Sequence, residues 1–142
     1  MKYVIDASTA IPWEIPEPLS VKARQLREDH RNHIHELLTT DLFPTEVANA
    51  LLVAERRGRI LPGQGALFLA EILKVRPAIH TALLDLLPRA YAIAHSTVWS
   101  VYDCLYVALA ERESCDLVTG DDRLVRNLQT QFPCVIPLSS LP

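Results

Sequence analysis

The sequence KYVIDAS, residues 2–8, joins a short apolar run to an acidic residue at the point where the run ends. A short apolar run of this kind is typical of a strand buried in a sheet, and the small polar residues that follow favour the start of a helix. We therefore predict a strand over residues 2–6 and a short helix after it that ends near Pro16 and Pro18. Asp6 stands at the end of the predicted strand.

The rest of the chain alternates short apolar runs with segments of helical periodicity. Further strands are predicted at residues 36–39, 79–84, 116–119 and 134–136. Helices are predicted at residues 20–29, 45–57, 62–74, 88–94, 101–113 and 122–131, with a polar linker at residues 30–35. Strands that alternate with helices favour an α/β sandwich around a mainly parallel sheet of four or five strands.

The composition is that of an ordinary globular domain. The chain has 142 residues, of which 49% are hydrophobic and 22% are charged, so we expect a single domain over residues 1–142 with one sizeable core. No apolar run approaches the roughly 18 residues that indicate a membrane span. Asp6 interrupts the apolar start too early for a signal peptide, and we therefore expect a cytoplasmic protein.

Neither the net charge nor the cysteines identify a ligand on their own. A net charge of −3 argues mildly against a nucleic-acid partner, unless the placement of the charges says otherwise. The three cysteines, Cys104, Cys115 and Cys134, are widely spaced and include no CxxC pair. They predict neither a disulfide framework nor a zinc site.

Four acidic residues fall at strand ends or in the first turns of helices: Asp6, Glu46, Asp103 and Asp121. In a parallel α/β sheet these places lie together at the carboxyl edge, where such folds build their sites. Four carboxylates about 5 Å apart would repel by roughly 3 kcal/mol per pair, and a divalent cation would relieve that repulsion. Oxygen ligands without cysteine or paired histidine favour Mg²⁺ or Mn²⁺ over zinc, and phosphodiester hydrolysis is the natural chemistry of such a site.

Each of these acids also has a purely structural explanation, because acidic residues stabilise helix N-termini. Ser100-x-x-Asp103 and Thr119-x-x-Asp122 both fit the pattern of a capping box. Asp103 fits this explanation least well, since the apolar run CLYVALA follows it. An unpaired carboxylate buried in such a helix costs several kcal/mol, so something should compensate its charge.

Four segments, in this order along the chain, resemble the successive motifs of the PIN-domain ribonucleases. They are YVIDAS at residues 3–8, PTEVANAL at 44–51, SVYDCLYVALAE at 100–111 and LVTGDDRL at 117–124. The resemblance covers residues 2–138 and extends to the VapC-type toxins of type II toxin-antitoxin pairs. It implies a PIN-like three-layer sandwich, a Mg²⁺- or Mn²⁺-dependent endoribonuclease with RNA as its substrate, a cognate antitoxin as partner, and a homodimer.

The resemblance also assigns roles to the acidic residues. Asp6 matches the aspartate of the first strand and Glu46 the glutamate of the helix. Asp103 matches the aspartate of the buried helix, and Asp121 the one that follows the late strand. All four would bind the metal, whereas Asp122 is an auxiliary residue for which a surface helix cap is an equal alternative.

Three further polar residues are candidates for supporting roles. Ser8 and Thr119 can each orient a carboxylate or a metal-bound water, and each can instead cap a helix. Arg123 follows the last acidic motif, where an RNA backbone can pass. The arginines within residues 56–59, in contrast, suit the C-terminal end of a helix.

The aromatic residues are better explained by packing than by base stacking. Tyr102 and Tyr106 lie four residues apart on the predicted helix 101–113, a spacing that favours the core or an oligomer interface. For Trp13 the sequence leaves two alternatives open, the core and a partner surface.

Other classes of protein fit less well. A haloacid-dehalogenase-like phosphatase requires a DxD motif after the first strand, where this chain has Asp6-Ala7-Ser8. A receiver domain requires an acidic pair there and a late lysine, and no lysine follows Lys74. A non-catalytic PIN-like interaction module and a solitary RNA-processing nuclease stay open as alternatives.

Overall fold

Five parallel strands form one sheet in the computed structural model, which describes residues 1–81 and 83–142. The spatial order of the strands is β3-β2-β1-β4-β5, and every neighbouring pair is parallel. The strands are β1 (Lys2–Ile5), β2 (Glu36–Thr40), β3 (Ala78–His80), β4 (Asp116–Thr119) and β5 (Val135–Pro137). The predicted parallel α/β sheet is confirmed.

Helices cover both faces of this sheet. They are α1 (Ala7–Ala10), α2 (Ser20–Arg31), α3 (Phe43–Arg56), α4 (Gln64–Lys74), α5 (Leu83–Thr97), α6 (Val101–Glu113) and α7 (Asp122–Leu128). Short 3-10 helices follow α1 and β5. Among the residues that the structure describes, no helix has the length and apolar character needed to cross a membrane.

Two hydrophobic clusters, one on each face, give the three layers of the sandwich. In β1 the side chains of Tyr3 and Ile5 pack with helices α1 to α4, whereas Val4 packs with α5, α6 and α7. This alternation follows from the period of two in a strand. Helix α6 is buried continuously from Cys104 to Ala110, which accounts for its lack of a polar face.

The middle of the chain differs from the sequence-based prediction. The strand predicted at residues 79–84 is β3, three residues long, and its predicted part at Ala82 lies outside the described residues. The chain is already helical from Leu83, so Pro88 lies inside α5 and does not begin a helix. Burial of Leu86 and Ala90 in the core, where α5 packs on α6, outweighs the local cost of proline in a helix.

The aromatic residues divide between core and surface. Trp13 is 2% exposed and Tyr106 is fully buried, as packing predicts. Tyr102, in contrast, is 66% exposed, so the prediction that it packs in the core of this chain is wrong. The apolar face that a period of four residues indicates therefore does not include both tyrosines.

Candidate active site

The four acidic residues come from four different elements that end or begin at the carboxyl edge of the sheet. Asp6 follows β1 directly, and Asp121 follows β4 after a single connecting residue, Gly120. Glu46 lies in the first turn of α3, and Asp103 in the first turn of α6. Because β1 lies between β2 and β4, the chain topology brings these elements to one edge.

Asp6 is held in place by hydroxyl groups on both of its carboxylate oxygens. Ser8 Oγ donates to Oδ1 at 2.5 Å, and Thr119 Oγ1 donates to Oδ2 at 2.6 Å. The same two hydroxyls accept backbone N–H groups of the loop after β4, from Gly120 at 2.8 Å and from Asp121 at 3.1 Å. Ser8 and Thr119 therefore fix the Asp6 carboxylate to that loop, while Asp6 and Asp121 are the N-cap residues of α1 and α7.

The electrostatic environment of Asp6 opposes its ionisation. The pKa of Asp6 is raised from 3.8 to about 6: burial and, to a lesser extent, the charge of Asp103 raise it, whereas the hydrogen bonds from Ser8 and Thr119 lower it. The hydroxyl donors thus offset only part of the desolvation cost. A carboxylate in this state is stabilised by any cation that can approach it.

The pKa values of Glu46 and Asp103 are also raised, in part by the charges of the neighbouring acids. Burial, together with the charges of Asp103 and Asp6, raises the pKa of Glu46 to about 7. Burial also raises the pKa of Asp103, and so does the charge of Asp121. The four carboxylates therefore interact electrostatically in one group, which we call the acidic cluster.

Two of these acids also have contacts that orient them. The indole Nε1 of Trp99 donates to Asp103 Oδ2 at 2.7 Å. Asp121 Oδ1 accepts the backbone N–H groups of Arg123 at 2.9 Å and Leu124 at 3.3 Å, and so caps α7. In the described part of the chain the other oxygen of each carboxylate accepts no hydrogen bond, and it is free to face a ligand.

The donor set of the acidic cluster fits a hard divalent cation. Its donors are all carboxylate oxygens, and none of the four acids forms an ion pair with a residue that the structure describes. No three Asp, Glu, His or Cys side chains among those residues already stand in a ligating arrangement around one point. Holding a cation would therefore require side-chain movements that bring these carboxylates together, as expected of acids that now repel.

The charge of Arg123 acts on the acidic cluster, since it lowers the pKa of Asp103. Its side chain is exposed, and it forms no ion pair with a described residue. Asp122, the adjacent acid, is exposed at the start of α7 and has no described hydrogen bond. Arg123 thus lies within electrostatic reach of the site, whereas no described contact connects Asp122 with it.

Sequence reasoning did not single out Trp99 or Gly120. Trp99 precedes α6, and nothing in its spacing from Asp103 indicates a hydrogen bond. At Gly120, a Cβ atom would lie 2.9 Å from the carbonyl oxygen of Ser8 and 3.4 Å from its Oγ. Only glycine permits this approach of two backbones, and the approach holds Ser8 against Asp6.

Replacement of Gly120 by alanine should therefore loosen the support of Asp6. The new methyl group meets backbone at Ser8, which cannot rotate away, so we expect the free energy of unfolding to fall by about 1–3 kcal/mol. Urea unfolding measures this change. Gly65→Ala is the matched control, because there the added Cβ meets first the flexible Glu55 side chain, at 3.2 Å. Equal stabilities of the two variants would contradict this account of Gly120.

Comparisons with known proteins identify the family to which this chain belongs. A profile of the PIN domain matches residues 3–127. The chain is 34% identical over 137 residues to Ribonuclease VapC3 of Pyrobaculum aerophilum, with 96% of this chain and 98% of that protein covered. It is 31% identical over 133 residues to VapC ribonuclease Mb0985 of Mycobacterium bovis and to Ribonuclease VapC9 of Mycobacterium tuberculosis, with 94% of this chain and 96% of those proteins covered.

A solved structure agrees at the level of the fold. The crystal structure of PAE2754 from Pyrobaculum aerophilum matches with a TM-score of 0.70 and 21% sequence identity, over 99% of this chain and 91% of that one. The profile spans most of the sequence, and the relatives exceed 30% identity over nearly their whole length. The chain therefore belongs to the PIN-domain family and is of the VapC type.

Proposed function

We propose that this protein is a Mg²⁺- or Mn²⁺-dependent endoribonuclease that hydrolyses RNA phosphodiester bonds, and that it is the toxin of a toxin-antitoxin pair. The observation that carries the proposal is the acidic cluster: four carboxylates from four elements interact at one sheet edge without a cationic partner among the described residues. Repulsion among these carboxylates destabilises a fold that is only marginally stable, so their proximity is best explained by the binding of a ligand.

In this proposal Asp6, Glu46, Asp103 and Asp121 hold the cation, and none of them acts as a nucleophile. A divalent cation held there supplies Lewis-acid catalysis of phosphodiester hydrolysis. The protein keeps the ligands oriented: Ser8 and Thr119 hold Asp6 through the hydrogen bonds described above. Asp122 has no contact that supports more than an auxiliary role.

RNA is proposed as the substrate because the relatives that match nearly the whole chain are named ribonucleases. The acidic cluster by itself supports phosphodiester chemistry without a choice of nucleic acid. Arg123 is exposed, has no acidic partner in the described residues and lowers the pKa of Asp103 through its charge. In this proposal it binds a phosphate of the strand. The two alternatives, a non-catalytic PIN-like module and a solitary RNA-processing nuclease, lack such specific support.

Protein partners are proposed on the basis of exposed apolar surface. A groove between α3 and α4 is lined mainly by apolar side chains: Ala48, Leu51, Leu52, Ala66 and Leu69. Beside it Leu61 is 68% exposed and Leu67 is 66% exposed. Apolar surface of this kind suits a cognate antitoxin or a homodimer. Sedimentation at micromolar concentration tests the homodimer, and detection of only a 15.9 kDa species would exclude it. The antitoxin is tested separately: a small open reading frame beside the gene for this protein would supply a candidate for an inhibition assay.

The direct test of the proposed activity uses circular RNA, which only an endonuclease can open. A pool of randomised circular RNAs is incubated with the protein in Mg²⁺, in Mn²⁺ and in EDTA. We expect linear products with either ion and none in EDTA, because the reaction depends on a held cation. Cleavage that persists in EDTA would refute metal dependence, and intact circles under all conditions would favour the non-catalytic module.

A further inference from the structure

The connection between α5 and α6 presents apolar side chains to solvent. Val98 is 90% exposed and Tyr102 is 66% exposed, whereas Trp99 between them is half-buried. A single exposed apolar residue is common on protein surfaces, but two large ones this close together form a patch that requires a reason. We call residues 98–102 the aromatic corner.

The aromatic corner is connected directly with a member of the acidic cluster. Trp99 donates its indole N–H to Asp103 Oδ2 at 2.7 Å. Tyr102 is the residue before Asp103 in the first turn of α6, so their Cα atoms lie about 3.8 Å apart. Successive side chains of a helix point about 100° apart. Because Asp103 belongs to the acidic cluster, Tyr102 lies at its rim.

Helix geometry places the ring of Tyr102 at the carboxyl edge of the sheet. Residues four apart share a face of a helix, so Tyr102 continues the face on which Tyr106 is fully buried against the sheet. Tyr102 lies about 6 Å nearer the start of α6, and helical side chains lean toward the N-terminus of their helix. The ring therefore stands beyond the core, and most of its surface is open to solvent.

The backbone of the aromatic corner is strained. Val98 has a φ of 55°, in the left-handed region where a β-branched residue is an outlier. The next residue, Trp99, donates its backbone N–H to the carbonyl oxygen of Ala94 at 3.1 Å, a bond typical of a helix C-terminus, where glycine is the usual residue. A strained and exposed valine supports a role in binding, because such strain is concentrated at ligand sites.

The size of the aromatic corner suits a nucleobase and not a second protein. A stable protein interface buries about 800 Å² on each partner. A whole aromatic side chain contributes about 150–250 Å², so Val98 and Tyr102 supply only a small part of that area. The groove between α3 and α4, which suits a protein partner, lies on the other face of the sheet. A base needs one ring face, and its uncharged face is not repelled by the acids nearby.

We propose that Tyr102 stacks on an unpaired base next to the phosphodiester bond that the acidic cluster binds, with Val98 beside the ring, and that the protein thereby selects single-stranded RNA. The inference rests on the proposed function and deepens it, because it names the class of substrate. A base within a duplex is already stacked and paired, so it cannot offer its face to the ring.

The test measures binding of a labelled, randomised single-stranded RNA by fluorescence anisotropy in Ca²⁺, a cation that prefers oxygen ligands. A random pool suffices, because stacking on an aromatic ring tolerates every base. We expect Tyr102→Phe, which keeps the ring, to bind as wild type does. Tyr102→Leu should raise the Kd by about tenfold, as the loss of one stacked base does.

Tyr91→Leu is the matched control, because Tyr91 is also 66% exposed but lies on α5, outside the aromatic corner. It should bind the single strand as wild type does, and all three variants should unfold at the wild-type temperature. A fully paired RNA duplex of the same length separates stacking from attraction to phosphates. Wild type and Tyr102→Leu should bind this duplex equally, because it offers no unpaired base.

Three results would overturn the inference: unchanged affinity of Tyr102→Leu for the single strand, an equal loss on the duplex, or an equal loss in Tyr91→Leu. Altered sedimentation of Tyr102→Leu with unchanged RNA binding would also overturn it and would assign the corner to a second copy of this chain. If wild type opens circular RNA while Tyr102→Leu binds RNA normally, this inference fails alone. If wild type neither opens circles nor binds the pool, the proposed function fails and this inference fails with it.

Discussion

Asp103→Asn is expected to reduce RNA cleavage by roughly a thousandfold or more, as the loss of one member of a catalytic unit does. Asp103 is the acid most widely connected in the cluster, because its charge raises the pKa values of both Asp6 and Glu46 and its own pKa responds to Asp121. Asparagine can keep its carbonyl oxygen toward the indole of Trp99. The amide then replaces a charged ligand without disturbing the start of α6.

The same argument predicts how variants combine. Glu46→Gln added to Asp103→Asn should cost little more than Asp103→Asn alone, because the carboxylates act as one site. The metal-free variants should be at least as stable as wild type, since each change relieves repulsion. Initial cleavage rates at saturating Mn²⁺ measure the first effect, and thermal unfolding in EDTA measures the second.

Asp116→Asn is the matched control for Asp103→Asn. Asp116 begins β4 and thus lies at the opposite edge of the sheet from Asp121. Its replacement should leave cleavage unchanged, because neither its position nor any described contact connects it with the acidic cluster. Wild-type cleavage by Asp103→Asn, or a loss of cleavage in Asp116→Asn equal to that in Asp103→Asn, would refute the assignment of the site.

The sheet and its acidic edge could be predicted because both depend on local sequence. The runs that form β1 and β4 are apolar and end close to an acid. In a parallel sheet the carboxyl ends of all strands lie at the same edge, so residues that follow different strands come close together. Asp6 and Asp121 are thereby placed at one edge without knowledge of any contact. Helix α6 was predicted from a run of apolar residues that only a buried helix accommodates.

The region around β3 could not be predicted, because its local signals are weak or point the wrong way. β3 has three residues, none of them fully buried, so it lacks the apolar alternation that marks a strand. Pro88 is a residue that usually begins a helix, whereas here it lies within α5. The burial of Leu86 and Ile93 in the core decides the outcome, and tertiary packing of this kind is not visible in local sequence.

The finer support of the site was hidden for the same reason. Gly120 approaches Ser8 across a separation of 112 residues, and Thr119 reaches Asp6 across 113. Tyr106 was predicted correctly as a core residue, whereas the burial of its hydroxyl without a described hydrogen-bond partner was not visible in the sequence. Motifs can indicate which residues a site contains, whereas the hydrogen bonds between those motifs require the folded chain.

The second large effect is expected in the stability of the protein without metal, which should fall as the pH rises from 5 to 8. The pKa of Asp6 is raised to about 6 and that of Glu46 to about 7, in each case first by burial. An acid with a raised pKa in the folded state binds more protons there than in the unfolded chain. Its stabilising contribution is therefore complete below the unfolded pKa and is lost as the pH passes the folded pKa.

The size of the effect follows from these shifts. Asp6 should account for a loss of about 1 kcal/mol between pH 5 and pH 8. Glu46 adds a further loss, which solvent screening reduces because its side chain is only half-buried. A divalent cation at a hundred times its Kd should restore about 3 kcal/mol at pH 8, and thus raise the unfolding temperature by about 8 °C.

Asp6→Asn separates this explanation from other causes of pH dependence. The asparagine cannot ionise, and a reoriented hydroxyl of Ser8 or Thr119 can accept its amide N–H, so the variant should fold. We expect its unfolding temperature in EDTA to depend less on pH than that of wild type and to respond little to Mn²⁺, while Asp116→Asn retains both responses. Two results would contradict this explanation: wild type in EDTA that is as stable at pH 8 as at pH 5, or Mn²⁺ that stabilises Asp6→Asn as much as wild type. The first would mean that Asp6, the most buried of the four acids, ionises at no cost to the fold. The second would mean that the cation does not act by relieving the repulsion among these carboxylates.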